Sequence, residues 1–520
     1  MKKKITYKVN NKTVEKEVNH IPVRYIIAVM ITVFEIAAII GIVVLLCMKV
    51  RFFYLAAWVT EFVCVLQIIA SDDNPDYKVP WLLFVLILPV IGFMLYILFY
   101  SRKLKGKFIK RLKNIKHQSY KKDDSLLFNE LKGESQVAFA QARMLTNISE
   151  SHLFTNTRQQ YFASGEEMFE CLLQDVKRAE RFIYLEYFII EEGLFWNSLL
   201  ELLEQKVQNG VTVKLVYDDI GCMTTLPGNY YRILQKKGIE AVPFSRLRGA
   251  ADSEFNNRSH RKLFIIDGKI GYTGGINLAD EYINKKLRFG HWKDTAIRLE
   301  GEAVWEMTKL FLIDFGINVK KMPEITKEQF PISDVTEKGY IIPFGDGPRP
   351  LFERRVGKSV VQNMLYSARD YVYMTTPYLI IDNDLCSDIE NTAMRGVDVR
   401  IIVPHIPDKK IVFGMTRSFY HRLMAAGVKI YEYEPGFIHA KNYVCDDMIA
   451  MTGTINLDYR SLVHHFENGV WMYDCKAVGD IKKDIDSTLE KCIEVTPDML
   501  KVTLTRRLFR AVVRIFAPML

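Results

Sequence analysis

The chain has 520 residues, of which 49% are hydrophobic and 25% are charged, and its net charge is +9. This composition lies between those of soluble and membrane proteins, and the length is sufficient for several domains. The eight cysteines form no CxxC pair, and two of them, Cys47 and Cys64, lie inside apolar runs. We therefore expect a reduced protein that has neither disulfide bonds nor a zinc site.

Three apolar runs follow a basic N-terminal tail of residues 1–24. They span residues 26–48, 52–70 and 79–100. Each run approaches the roughly 20 residues that cross the hydrocarbon core of a bilayer. The first run lacks a small-residue cleavage site and is followed at once by another apolar run, which argues against a signal peptide. We predict two or three transmembrane helices within residues 25–100.

A basic linker is predicted over residues 101–135, after the last apolar run. Residues 102–122 contain ten Lys or Arg and no Asp or Glu. The positive-inside rule therefore places the following domain in the cytoplasm. The basic tail would also prefer the cytoplasm, and three crossings cannot satisfy both ends. The positive charge indicates either attraction to anionic lipid headgroups, rather than to nucleic acid, or a solvated linker that only sets topology.

The rest of the chain is predicted to contain two copies of one β-α unit. The segment RFIYLEYFII at 181–190 resembles DYVYMTTPYLII at 370–381, and NGVTVKLVYDD at 209–219 matches RGVDVRIIVP at 395–404. Strands that alternate with helical patterns predict an α/β fold whose sheets are covered by helices. Residues 323–355 are rich in Pro, Gly and charge, so we place the junction there. The predicted repeats span residues 136–335 and 336–499.

One short pattern of polar residues occurs once in each repeat. On a strand, a His and a Lys two positions apart project from the same face, so both can reach one phosphate. Two imidazoles could supply a nucleophile and an acid, and two lysines could supply positive charge, without a metal or another cofactor. The pattern consists of His260, Lys262, Asp267, Gly274 and Asn277 in the first copy, and of His439, Lys441, Asp446, Gly453 and Asn456 in the second.

The other positions of the pattern are expected to support this chemistry. Although Asp267 and Asp446 belong to the catalytic pattern, we expect them to stabilise turns or internal ion pairs rather than to touch substrate. Each directly precedes a turn residue, Gly268 or Asp447. The glycines would let the backbone approach an anion, and the asparagines could donate an amide hydrogen to a phosphoryl oxygen.

These motifs resemble the phospholipase D superfamily, whose signature is a paired HxKxxxxD, and more closely the bacterial cardiolipin synthases. The resemblance covers nearly the whole chain, and GGIN, DEY, NLDYRS and FEN are its most specific parts. It implies two tandem phospholipase D-like α-β-α sandwich repeats after an N-terminal helical transmembrane region. The first repeat has Gly275 where the superfamily often has Ser, whereas Thr454 keeps a hydroxyl group in the second repeat.

The resemblance also implies a reaction and a role for each residue. A phosphatidyl group would pass between two phosphatidylglycerol molecules through a phosphatidyl-histidine, giving cardiolipin and glycerol. By similarity His260 is the nucleophile and His439 the acid and base, although the symmetric motifs also allow the reverse. Asp294 would orient His260, and Glu467 would orient His439; the alternative is that both carboxylates pair with nearby cations.

Several alternatives remain open on the sequence alone. A phospholipase D hydrolase would use the same residues, and a phosphatidylserine synthase of the superfamily would need a nucleotide-activated donor. The apolar runs argue against a nuclease. Of His464 and His465, at most one is expected to contact substrate, because neighbours on a strand face opposite ways. Residues 500–520 show a helical apolar stripe with arginines on another face, which predicts a basic amphipathic helix on anionic lipid or packed on its own domain.

Overall fold

A computed structural model describes most of the chain. The described residues are 2–9, 12–19, 52–71, 73–88, 90–96, 122–246, 257–319, 334–349 and 351–501, with scattered positions in 26–49, 323–329 and 503–517. They form two compact units: residues 1–104, 246–257 and 502–520 make the first, and residues 105–245 and 258–501 make the second. The first apolar run, the linker up to residue 121 and the C-terminal amphipathic helix lie largely outside the described residues.

Within residues 2–19 and 52–96, the described part of the first unit contains a β-hairpin and three helices. Strands β1 (Lys2–Val9) and β2 (Lys12–Asn19) pair antiparallel. The helices are α1 (Phe53–Ala70), α2 (Pro75–Ile87) and α3 (Ile91–Leu95). Helix α2 begins after Asn74, whose side-chain oxygen accepts the Asp76 N–H at 2.9 Å, and Pro75 suits its first position. Among the described residues, no helix combines the length and the apolar character that a membrane crossing requires.

The first repeat of the second unit builds a seven-stranded sheet. Its order is β3-β10-β8-β7-β4-β5-β6, in which β4, β5 and β6 are parallel neighbours and the other pairs are antiparallel. Its helices are α4 (Ser125–Glu134), α5 (Gln136–Ser149), α6 (Gly165–Arg178), α7 (Leu194–Gln208), α8 (Tyr230–Lys236) and α9 (Val304–Asn318). Its strands are β3 (Thr157–Phe162), β4 (Phe182–Tyr187), β5 (Thr212–Asp218), β6 (Glu240–Phe244), β7 (Leu263–Ile266), β8 (Ile270–Gly274) and β10 (Ala296–Gly301), while β9 (His291–Lys293) lies outside the sheet.

The second repeat has the same sheet with one added strand. Its order is β11-β20-β18-β17-β12-β14-β15-β21, with β12, β14 and β15 parallel. The strands are β11 (Tyr340–Asp346), β12 (Tyr371–Thr375), β14 (Asp398–Pro404), β15 (Lys429–Tyr433), β17 (Asn442–Cys445), β18 (Ile449–Gly453), β20 (Glu467–Tyr473) and β21 (Cys492–Glu494), and outside this sheet β13 (Leu379–Ile380), β16 (Gly436–Ile438) and β19 (Leu457–Asp458). The helices are α10 (Val356–Ser367), α11 (Asn383–Met394), α12 (Lys410–Ala425) and α13 (Lys476–Leu489).

Helices cover both faces of each sheet, because alternate side chains of a strand point to opposite faces. In β4, Ile183 and Leu185 join the core under α6 and α7, whereas the Tyr184 ring stacks on Phe311 of α9 at 5.0 Å. In the second sheet, Lys482 of α13 lies over the Tyr373 ring. The opposite face meets α10, since the Cys445 thiol donates to the Met364 carbonyl. The predicted duplication and the α-β-α layering are confirmed.

Candidate active site

The two HxK segments occupy equivalent places, directly before the central hairpin of each sheet. His260 and Lys262 precede β7, and His439 and Lys441 lie between β16 and β17. Each hairpin then turns on two residues of positive φ, Asp267 and Gly268 at 55° and 70°, or Asp446 and Asp447 at 51° and 54°. Such a pair suits the primed turns of hairpins, so the predicted turns are confirmed. The HxK segments themselves lie just before the strands rather than within them.

The motif aspartates bind backbone amides far along the sequence. The Asp267 carboxylate accepts hydrogen bonds from the N–H groups of residues 180, 181 and 182, at 2.7 to 2.9 Å. The Asp446 carboxylate accepts from residues 369, 370 and 371, at 2.8 to 3.0 Å. Each carboxylate therefore fixes the entry of the chain into β4 or β12.

Backbone pairing between the repeats brings the two HxK segments into one site. The His260 N–H donates to the Phe466 carbonyl at 2.9 Å, and the His439 N–H donates to the Lys293 carbonyl at 2.7 Å. Strands β9 and β16 also pair in parallel, with Lys293 opposite Ile438. The backbone at each histidine is therefore hydrogen-bonded to a segment of the opposite repeat.

The predicted pairing of histidines with carboxylates was wrong in its partners. His260 Nδ1 lies 3.0 Å from both oxygens of Glu467, and His439 Nδ1 lies 2.6 Å from Asp294 Oδ2. Both carboxylates have no solvent exposure. The partners are exchanged because Asp294 follows β9, which pairs with the strand leading to His439, and Glu467 follows Phe466, which pairs with His260. Asp294 and Glu467 are nevertheless the two carboxylates that hold the imidazoles.

The surroundings of the two carboxylates account for the difference between Gly275 and Thr454. The Thr454 and Ser461 hydroxyls donate to Glu467 at 2.5 and 2.7 Å. A Cβ at Gly275 would instead lie 2.0 Å from Asp294 Oδ1, which is far inside van der Waals contact. The shorter carboxylate of the first repeat therefore occupies the space that a hydroxyl side chain would need.

The motif lysines and asparagines line the same region. The Lys262 ammonium donates to the His260 carbonyl at 2.7 Å, and Lys441 makes the same bond to the His439 carbonyl. Asn277 Nδ2 donates to the Tyr282 hydroxyl, while its oxygen accepts the Ile189 N–H. The motif glycines allow close backbone approach, since a Cβ at Gly274 would lie 2.3 Å from the Thr295 carbonyl oxygen, and one at Gly453 2.4 Å from that of Asn468.

The side-chain amide of Asn456 donates a hydrogen bond to a carboxylate. Its Nδ2 donates to Asp458 at 3.0 Å. Its Oδ1 is buried and has no hydrogen-bond partner among the described residues. Each motif asparagine therefore has one amide hydrogen engaged by the protein and a second one that these bonds do not use.

Aromatic rings enclose both imidazoles, and apart from His465 the sequence analysis did not single them out. Phe188 lies edge-on to His260 at 5.1 Å, and the His465 ring lies 5.6 Å from His260. The residues around His439, with ring distances from 5.5 to 5.9 Å, are Tyr282, Trp292 and Phe437. Tyr282 belongs to DEY and Ser461 to NLDYRS, two of the segments most specific for the resemblance. Those segments could therefore have identified Tyr282 and Ser461 as residues of the site.

Comparisons with known proteins agree with this geometry. A family model described as cardiolipin synthase, PLD-like domain, matches residues 172–289 and 361–489, one match in each repeat. A second, described as phospholipase D-nuclease N-terminal, matches residues 62–99. A cardiolipin synthase of Halalkalibacterium halodurans is 33% identical over 81% of this chain and 84% of its own length. The chain belongs to the cardiolipin synthase family.

Other relatives show how far this family likeness extends. Cardiolipin synthase 2 of Bacillus anthracis is 33% identical over 89% of this chain and 90% of its own. An uncharacterized protein of Streptococcus mutans is 41% identical over 88% of this chain and 99% of its own. A crystal structure of phosphatidylserine synthase from Haemophilus influenzae superposes with a TM-score of 0.56 at 15% identity, covering 74% of this chain and 99% of that one. At this identity the superposition shows a shared fold.

Burial controls the protonation of this cardiolipin synthase-family site. Desolvation lowers the pKa of His260 to about 3 and that of His439 to about 4, so both imidazoles are neutral near pH 7. It also lowers the pKa of Lys262 to about 7 and that of Lys441 to about 8. Burial alone would raise the pKa of Glu467, but the contact with His260 holds it below its usual value.

One group of side chains at the site has metal-ligand chemistry. Within the described part of the chain, His260, His465 and Glu467 bring one ligand atom each within 4.8 Å of the others, and all three are buried. Two imidazoles and a carboxylate are a ligand set that Zn²⁺ accepts. His260 and Glu467 of this group also form the hydrogen bond that orients His260. A metal ion bound here would therefore compete with that hydrogen bond.

Proposed function

We propose that the protein is a cardiolipin synthase, which transfers a phosphatidyl group from one phosphatidylglycerol to another and releases glycerol. The observation that supports this most strongly is the composite site, in which two HxK segments meet and each imidazole bonds a fully buried carboxylate. Its setting in a chain whose relatives are named cardiolipin synthases supports the choice of substrate.

In the first step, His260 Nε2 attacks the phosphorus of phosphatidylglycerol. Glu467 accepts the Nδ1–H of His260, which leaves the lone pair on Nε2 and stabilises the charge that the ring acquires. The bond between phosphorus and the glycerol oxygen breaks as His439, protonated in the complex with the anionic substrate, gives its Nε2 proton to the leaving alkoxide. The products of this step are glycerol and a phosphatidyl-histidine.

In the second step, the free hydroxyl of another phosphatidylglycerol attacks the phosphatidyl-histidine. His439 Nε2 takes the hydroxyl proton, the new oxygen–phosphorus bond forms and the bond to His260 breaks. Asp294 on Nδ1 keeps His439 in the tautomer that both steps require. Lys262 and Lys441, with the unused amide hydrogens of the motif asparagines, neutralise the non-bridging oxygens as charge develops.

The apolar segments fit this lipid substrate. We place the enzyme at the bacterial cell membrane, held there by the apolar runs of residues 25–100, with the second unit facing the cytoplasm because the basic segment at 102–122 precedes it. Its partners are then phosphatidylglycerol, cardiolipin and anionic headgroups, and no nucleic acid.

Product analysis tests the proposal directly. Purified protein given pure phosphatidylglycerol should form cardiolipin and free glycerol in equal amounts. Formation of phosphatidic acid instead would identify a hydrolase and overturn the synthase. The control is His260→Ala, which should remain folded and membrane-bound but lose several powers of ten in rate, each worth about 1.4 kcal/mol of barrier.

A further inference from the structure

Two neighbouring loops of the second unit expose apolar side chains among lysines. The first loop, residues 284–290, has the sequence NKKLRFG. The second, residues 405–411, has the sequence HIPDKKI and includes the first two residues of α12, Lys410 and Ile411. Leu287 is 83% exposed, Ile411 is 61% exposed and Ile406 is 37% exposed. The second loop follows β14 and therefore lies at the carboxyl edge of the parallel strands, where sites of α/β sheets form.

The two loops meet at Ile406, and the backbones at both loops bond one shared segment, Pro435 and Gly436. The His291 N–H, directly after the first loop, donates to the Pro435 carbonyl at 2.9 Å, and the Ile406 N–H donates to the neighbouring Gly436 carbonyl at 3.4 Å. A Cβ at Gly290 would lie only 3.1 Å from Ile406 Cδ1. The loops therefore form one continuous surface, which we call the loop surface (residues 284–290 and 405–411).

Aromatic rings connect the loop surface to the acid–base histidine. The Phe289 ring lies 6.1 Å from Phe437, and the Tyr378 ring, whose hydroxyl donates to Asp408 of the second loop, lies 6.4 Å from Phe437. Phe437 in turn stacks on His439 at 5.9 Å. A molecule that contacts the loop surface is thus separated from the imidazole of His439 by about two aromatic rings.

The loop surface carries an excess of positive charge. Lys286 and Arg288 pair with Glu191 and Glu281. The other three cations, Lys285, Lys409 and Lys410, form no ion pair with a carboxylate in the described part of the chain. Lysines beside exposed Leu and Ile are typical of segments that insert apolar tips below anionic headgroups.

We propose that the loop surface docks on a bilayer that contains anionic phospholipid, with Leu287 and Ile411 inserted between the headgroups. This inference rests on the proposed function, because a two-tailed substrate must present its phosphate to His260 and His439 while its tails stay in the bilayer. Docking at this edge keeps the phosphate near headgroup depth and shortens the path that the substrate travels.

Negative charge introduced at the two apolar tips tests the docking. The double variant Leu287→Glu and Ile411→Glu is compared with Met394→Glu, which changes a 65% exposed side chain at the end of α11, beside the amino end of β14. Cardiolipin formation is measured on phosphatidylglycerol vesicles and on short-chain phosphatidylglycerol below its micellar concentration. The double variant should lose tenfold or more on vesicles and stay within twofold on the soluble lipid, and Met394→Glu should match wild type on both.

Two outcomes would overturn the docking surface. Wild-type rates of the double variant on vesicles would show that the tips touch no bilayer. Equal losses on vesicles and on soluble lipid would show that the loops serve the fold or the chemistry instead.

A second readout does not depend on activity. Leu287→Cys and Met394→Cys, each labelled with a polarity-sensitive fluorophore in the reconstituted full chain, are exposed to lipids with quenchers on their acyl chains. Only the label at 287 should brighten in anionic vesicles and be quenched. Equal behaviour of the two labels contradicts the proposal, and a partner protein on this surface would leave the label beyond the lipid quenchers. If no cardiolipin forms from either lipid, the proposed function fails, while this measurement still decides the docking.

Discussion

Each imidazole of the site depends on a carboxylate that the opposite repeat supplies. His260 bonds Glu467 and His439 bonds Asp294, so the two halves of the reaction are controlled by side chains 207 and 145 positions away. A substitution at one carboxylate therefore acts on the chemistry of the motif in the other repeat. Because the partners are exchanged, removing the charge of Glu467 and removing the charge of Asp294 should impair different steps of the reaction.

Glu467→Gln should impair the nucleophile and Asp294→Asn the acid. Each should lower the turnover of phosphatidylglycerol by about 10²–10⁴-fold, as removal of a histidine's orienting group or of general acid–base help does. A phosphatidyl ester of p-nitrophenol needs no acid for its leaving group. Rapid release of p-nitrophenol should therefore return in Asp294→Asn and in His439→Asn, but not in Glu467→Gln. Rescue of Glu467→Gln alone would reverse the assignment of the two histidines.

The motif lysines should set the alkaline limit of activity. Their pKa values are lowered to about 7 and about 8 by burial, so their positive charge is present below this range and is lost as the pH rises through it. The histidines, with pKa values of about 3 and about 4, stay neutral in the free enzyme above pH 5. Because the reaction also needs a proton on His439, kcat/KM should already decline as the pH rises above about 5, and it should fall more steeply above about pH 7 to 8, where the lysines lose their charge.

Arginine variants provide the comparison for this pH profile. Arginine remains charged at every accessible pH, so Lys262→Arg and Lys441→Arg should each flatten part of the alkaline fall, whatever their absolute rate. An unchanged profile in both variants would assign the fall to another group.

At the level of strands and helices, local patterns predicted what lies within each repeat. The β-α order, the hairpin turns at Asp267 and Asp446 and the identity of both orienting carboxylates follow from short-range patterns or from the resemblance. The partners of the carboxylates do not, because β9 and β16 are distant in sequence and pair across two similar repeats. A symmetric duplication offers both pairings, and only the backbone bonds between the repeats choose one.

The hydrogen bonds of the motif aspartates predict an effect on stability rather than on chemistry. Asp267→Asn and Asp446→Asn each replace a carboxylate that accepts three backbone N–H groups with a neutral amide, which accepts these bonds less well. Each should lower the free energy of unfolding by about 1–3 kcal/mol. Turnover per folded molecule should change little. Urea denaturation followed by tryptophan fluorescence measures the first quantity, with the neighbouring Asp447→Asn as the control; a large loss of turnover at unchanged stability would restore a catalytic role.

For the whole molecule, the proposed chemistry needs no metal. Synthesis of cardiolipin should therefore be unchanged when EDTA is present throughout purification and assay, because lysines and asparagine amides, rather than a metal ion, stabilise the phosphoryl oxygens. Complete loss that added metal reverses would contradict the mechanism. The ligands to examine would then be His260, His465 and Glu467.

The exchange of carboxylates also constrains how such an enzyme could arise. A single repeat that carries one HxK segment and one carboxylate holds its imidazole only when a second copy supplies the partner. An ancestor of one repeat would therefore complete two equivalent histidine–carboxylate pairs as a twofold-symmetric homodimer. Duplication of its gene and fusion of the two copies would keep every bond and would free the copies to diverge, so that one carboxylate is now Asp294 beside a glycine and the other Glu467 beside a threonine.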